Sequence, residues 1–224
     1  MSGFWGKATA IVVKDVLAEL RRKDVAASML VFALLLLVVF NFAFDITAEN
    51  EDLLGAGVIW ATFTFAGVLG FTRSFVLEKE KDCLSGLMLC PVDRASIYAG
   101  KMIASLAFML LVEAIALPLF AVLFDLDVFQ LGMLPVVLLA TVGFAAVGTL
   151  FSAVAVNSRA RDIMLPLLFL PVVVPVIIAA VKSTQHILAG DPWSELWSWL
   201  EIMAAFDAVF MVISSYMFEF VTEQ

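Results

Sequence analysis

"LEKEKDCLSGLMLCPVDR", Leu77 to Arg94, is a charged and then amphipathic break between two long apolar runs at about 55–76 and 102–124. Each flanking run is long enough to cross a membrane, because a spanning helix needs about 20 mostly apolar residues to cover roughly 30 Å of hydrocarbon. Working outward by the same criterion adds four runs, at about 26–44, 129–156, 163–181 and 202–221. The run at 129–156 exceeds what one crossing requires, so it tilts or ends in the interface. The chain is 63% hydrophobic and 15% charged, whereas soluble domains are roughly half apolar and about a quarter charged. The expected class is an all-α membrane protein with six transmembrane helices in a single domain, 1–224, leaving no soluble domain of useful size.

Orientation follows from lysine and arginine, which are retained on the cytoplasmic side near span ends. Lys7, Lys14, Arg21, Arg22 and Lys23 precede the first run; Arg73, Lys79, Lys81, Arg94 and Lys101 lie around the break after the second; Arg159 and Arg161 follow the fourth. The opposite side holds only Lys182, a split of twelve to one. Both termini are therefore expected in the cytoplasm, with 26–221 holding the spans. The net charge of −8 reflects acids assigned to or near the outer face, Asp45, Glu49, Glu51, Asp52, Asp125, Asp127, Asp191, Glu195, Glu201 and Asp207, and nothing points to nucleic acid. More than twenty residues with several charges precede the first run and no small-residue cleavage site follows it, so it reads as a span and not as a signal peptide.

Residues 1–24 put Trp5, Val12, Val16 and Leu20 on one helical stripe, interrupted at Ala8 and Lys23, with basic residues mostly elsewhere. This predicts a helix lying in the cytoplasmic interface; a frayed terminus is the alternative. Small residues recur every fourth position at Thr62, Ala66 and Gly70, and at Thr141, Ala145, Thr149 and Ala153, a spacing that lets helix backbones approach closely. Pro166, Pro171 and Pro175 predict a kinked or broken fifth span. Glu113 is the one carboxylate assigned near the middle of a span, and an ionisable group there must face protein, water or a partner. It reads either as a polar point in a conduit or hinge, or as an acid hydrogen-bonded to a neighbouring helix.

The last outer loop, "VKSTQHILAGDPWSELWSWLE", carries Trp193, Trp197 and Trp199. Interfacial tryptophans predict a short anchoring helix, or else an aromatic platform for a flat apolar ligand or a partner protein. His186, the one histidine of the chain, lies in the same loop and has the chemistry of an axial haem ligand. There is no GxxxxGK[ST], HExxH, CxxC or GxSxG, so the chain has no P-loop of its own, and no intramembrane or other catalytic site is expected. Cys83 and Cys90 read as packing residues on the reducing side, with no metal site.

On a helix, Leu84, Leu87 and Met88 line one face, Glu78, Lys79, Glu80, Lys81 and Asp82 dominate the preceding turns, and Pro91 stops the helix. An apolar stripe on the cytoplasmic side must lie against the membrane or fit a groove on another protein. The stretch "LEKEKDCLSGLMLCPVDRASIYAGK", with Pro91, Val92, Arg94, Ile97, Tyr98, Gly100 and Lys101, resembles the corresponding loop of ABC-2 type permeases, and in detail the CcmB family of haem exporter B proteins. The "KDVLAELRRKD" opening, "GVIWATFTFAGVLGFTRSF", the proline-rich fifth span and the total of six extend the resemblance along the chain. It departs at Asp82 to Ser85, where family members usually carry a glycine followed by a small or hydroxyl residue.

The resemblance implies an inner-membrane permease subunit with an interfacial helix and a cytoplasmic coupling helix between spans two and three, docked on a separate CcmA-like ATPase. The docking residues would be Glu78, Glu80, Asp82, Leu84, Leu87, Met88, Pro91 and Arg94. It further implies CcmC- and CcmD-like haem-handling membrane proteins, a CcmE-like periplasmic haem chaperone and two permease copies or their equivalent. ATP would bind the partner subunit and haem would belong to the complex, with no cofactor held by this chain alone. His186, Trp193 and Trp197 are the candidate contacts to a periplasmic partner or haem. ATP turnover would drive haem export or release of the loaded chaperone; the alternative is a generic exporter half moving a lipid, drug or other apolar substrate.

Overall fold

The computed structural model of the chain describes residues 3–44, 50–80, 92–156 and 161–221, with the backbone alone at 51, 75–80, 156, 161 and 162. Among these residues there are seven helices and no strand: α1 (Phe4–Arg22), α2 (Asp24–Ala43), α3 (Glu51–Glu80), α4 (Arg94–Phe124), α5 (Met133–Val156), α6 (Arg161–Leu188) and α7 (Trp193–Val221). All but α1 are long and apolar enough to cross a membrane, and they correspond to the six expected runs.

The ends differ from the apolar runs. Helix α3 continues to Glu80, α4 starts at Arg94 instead of 102, α5 starts at Met133 instead of 129, and α6 continues to Leu188 instead of 181. An apolar run marks hydrocarbon, whereas a nucleated helix gains one backbone bond per added residue and propagates through polar positions. The tryptophan-rich segment is accordingly no separate interfacial helix. Trp193, Trp197 and Trp199 belong to the first two turns of α7, which starts after Pro192, has Glu195 in its first turn and closes with the Glu195 amide on the Pro192 carbonyl at 3.0 Å. Helix α6 is also unbroken, running through Pro166, Pro171 and Pro175.

Consecutive spans run in alternating directions. At one end, the Asn41 amide donates to the Leu123 carbonyl at 2.7 Å, and the space beside Gly55 is closed by Leu126, Leu188 and Phe120. At the other, basic end, Tyr98 of α4 donates to the Ala146 carbonyl of α5 at 3.1 Å. Ile11, Ile97, Tyr98, Ala145, Leu150 and Phe218 form a buried cluster there.

The central core is aromatic. Trp60 of α3 is fully buried and its indole N–H donates to the Thr184 hydroxyl of α6 at 2.8 Å. Its ring meets Phe63 and Phe144 edge-on, and Phe144 leads through Phe169 to Phe71. Gly148 leaves room for the Phe71 ring, and Gly70 for the Met29 thioether. Both sets of small residues are buried: Thr62 and Ala66 on α3, and Thr141, Ala145, Thr149 and Ala153 on α5, with Ala66 in the central core and Ala145 and Ala153 in the cluster at the basic end. In lipid, where tails are as apolar as side chains, such close fit is what holds helices together.

Candidate functional site

The basic end is built around the start of α4. Asp93, in extended conformation, precedes the helix and its carbonyl accepts the Ser96 and Ile97 amides at 2.9 and 3.2 Å. Gly100, one and a half turns on, lies under α1: a Cβ there would stand 2.8 Å from Ile11 Cβ and 2.9 Å from the Ala8 carbonyl. Of the stripe expected to meet the membrane, Trp5 and Leu20 are 69% and 60% exposed and Val12 and Val16 half-buried, while Ala8 and Ile11 are buried. Ala8, which interrupts that stripe, is therefore the residue that lets α1 sit on α4.

Lys23, the other interruption, takes the left-handed conformation (φ 60°) and links α1 directly to α2. Glu19 Oε1 reaches across this joint and accepts the Val25 and Ala26 amides at 2.8 and 2.7 Å. These are two of the donors a helix N-terminus leaves without intrahelical partners. Ion pairs bind the same corner: Lys7 with Asp93 at 3.5 Å, Lys14 with Asp15 at 2.8 Å, and the buried Lys101 with Asp15 at 3.8 Å. Arg94 donates to the Glu219 carbonyl at the end of α7 at 2.9 Å. Helices α1, α2, α4 and α7 are thus joined where the 77–94 segment enters α4.

Of the expected docking residues, Arg94 is in this junction. Glu78 and Glu80 lie in the last turn of α3, and only their backbone is described. Asp82, Leu84, Leu87, Met88 and Pro91, together with the expected coupling helix and Cys83 and Cys90, lie outside the described residues.

Within the membrane, Glu113 of α4 is 2% exposed and its carboxyl oxygens lie 2.8 and 3.0 Å from the Thr141 hydroxyl of α5. That hydroxyl is also 2.7 Å from the Val137 carbonyl. Glu113 is therefore an interhelical tie between two packed spans. It is not the one acid at that depth. Asp207, assigned from sequence to the outer face, sits at the centre of α7 and is 3% exposed. The apolar run begins at about 202, whereas α7 begins at Trp193, about two and a half turns earlier. The signal was present in "MAAFDAVF", which has apolar residues on both sides of the acid.

At the end opposite the basic one, His186 in the last turn of α6 has Nδ1 2.8 Å from Asp191 Oδ2, and the Asp191 amide donates to the His186 carbonyl at 2.9 Å. Facing a carboxylate, Nδ1 is the donor of this contact, which fixes the ring's orientation. Trp193 and Trp197 follow within two turns and are 52% and 60% exposed. No group of three or more His, Cys, Asp or Glu among the described residues is placed to hold a metal ion.

A family model described as CcmB protein matches residues 6–222. The chain is 27% identical over 186 residues to heme exporter protein B of Pseudomonas aeruginosa, covering 83% of each chain. It is 32% identical over 157 residues to heme exporter protein B of Rhodobacter capsulatus, covering 69% of this chain and 72% of that one. The protein of the same name from Bradyrhizobium diazoefficiens is 25% identical over 183 residues, covering 81% of this chain and 82% of its own.

Proposed function

Since the chain belongs to the CcmB family, we propose that it is the membrane subunit of an ATP-driven assembly for cytochrome c maturation in the bacterial inner membrane. A separate ATPase docks on residues 78–94, and its turnover is coupled to haem export or to release of a haem-loaded chaperone on the other side. The observation that carries this reading is the junction at the start of α4. A force applied at the start of α4 acts directly on α1 and α7, through Asp93–Lys7, Gly100 against Ala8 and Ile11, and Arg94 on Glu219, and on α2 through the Glu19 cap. The family relatives are heme exporters by name, which directs the output to haem.

In this reading both termini are cytoplasmic, two permease copies or their equivalent complete the path, and CcmC-, CcmD- and CcmE-like proteins handle the haem. His186, held by Asp191, and the exposed Trp193 and Trp197 form the periplasmic contact with the chaperone or haem. The chain contributes transmission and no catalysis of its own.

The test is to change Leu87 and Met88 to Asp and purify the permease with its operon partners. The expected result is loss of the copurifying ATPase from a permease that elutes normally, with loss of cytochrome c maturation. Undiminished copurification overturns docking at this segment. Copurification of an ATPase with no haem-handling protein, in the wild type, would point instead to a generic exporter half.

A further inference from the structure

Asp207 has no described partner, and its surroundings narrow what it can bind. Among the described residues, neither carboxyl oxygen has a hydrogen-bonding partner. Oδ1 is 2.7 Å from where a Cβ at position 143 would stand, so Gly143 of α5 makes the space for the carboxyl, which Val176 of α6 and Phe206 close.

No cation faces it from the helices packed on α7. Helix α5 contains no ionisable residue, and α6 has none between Asp162 and Lys182. On α4, Arg94 and Tyr98 are held by the Glu219 and Ala146 carbonyls, Lys101 lies by Asp15, and Glu113 by Thr141. On α7 itself Glu201 and Tyr216 are exposed, and Glu219 is three turns away toward the basic end.

An ionised carboxylate without donors in hydrocarbon is strongly disfavoured, and a metal ion would need several oxygen ligands where there is one side chain. A proton needs no other ligand. We propose that Asp207 and Gly143 form a proton-binding site inside the membrane, loaded when α5 and α7 are packed together and exchanged when that seam parts. Ser214, buried two turns nearer the basic end, is the next polar side chain on the same face of α7.

The test uses the purified full chain in lipid nanodiscs and dicyclohexylcarbodiimide, an apolar reagent that modifies protonated carboxyls, with peptide mass mapping across a pH series. The expected result is an adduct at Asp207 that fades as pH rises and is absent from D207N. An unmodified Asp207 at every pH, alongside modified Glu113, overturns the site. This readout does not depend on what the assembly transports, so its failure is separable from failure of the functional reading above. For exchange, D207N at wild-type abundance in cells should lower cytochrome c maturation at least tenfold, because an amide cannot release the proton. Undiminished maturation in D207N overturns proton exchange at this site.

Discussion

The Thr141 hydroxyl sits between two acceptors, the Val137 carbonyl and the Glu113 carboxyl. Glutamine at 113 could donate to Oγ1 while Oγ1 donates to Val137, so E113Q should keep the wild-type melting temperature in detergent and full activity. Inactivity of a folded E113Q would give the carboxyl a role beyond tying α4 to α5. Valine at 141 removes the bond, and interhelical bonds in membranes are worth about 0.6 kcal/mol on average and at most about 1.7. T141V should therefore lower stability only by that order, as read by chemical denaturation in micelles. His186 and Asp191 are partly exposed, and a single hydrogen bond at such a site contributes about 1 kcal/mol. Replacing His186 by Ala should leave folding intact, so a maturation defect in H186A would report a contact at the outer end.

Helix α1 is fastened more by shape than by charge. The approach of Ile11 Cβ and the Ala8 carbonyl to Gly100 leaves no room for a methyl group, and overpacking of this kind costs typically about 1–3 kcal/mol. Gly100→Ala should lift α1 from α4 and expose it to added protease, with α2 through α7 still protected. Lys7→Ala, by contrast, removes a pair in which Asp93 is 69% exposed, and should leave the protease pattern unchanged. Equal protection of α1 in wild type and G100A would mean that the joint at Lys23 and the Glu19 cap hold the helix without help from Gly100. The length of α3 and α4 belongs to the same scale: both continue as helix beyond the apolar runs, to Glu80 and from Arg94.

Across the whole molecule, six spans and an alternating path follow from hydrophobic run length and from the twelve-to-one distribution of basic residues. Reporter fusions after residues 48 and 190 should be active as exported enzymes, and those after 158 and 224 as cytoplasmic ones. The reverse pattern would invert the molecule and remove the ATPase docking proposal with it. The number of spans was legible because burial in lipid demands long uninterrupted apolar stretches and leaves few alternatives. Helix ends were less legible, since Trp193 to Glu201 and Arg94 to Lys101 are polar enough to read as loop yet carry the same backbone ladder.

What the sequence by itself determined is the membrane class, the six crossings, the exposed Trp5 and Leu20 face of α1 and the family likeness, all set by local composition and order. Only the tertiary structure decided which small residues touch what: Gly100 under α1, Gly148 against Phe71, and Gly143 beside Asp207. It also gave Glu113 its partner and moved Asp207 from the outer face to the middle of a span. The reason is physical. Hydropathy reports the transfer of a segment into lipid, whereas the partner of a buried polar group depends on helix rotation and approach, which are set by packing between segments far apart in the chain.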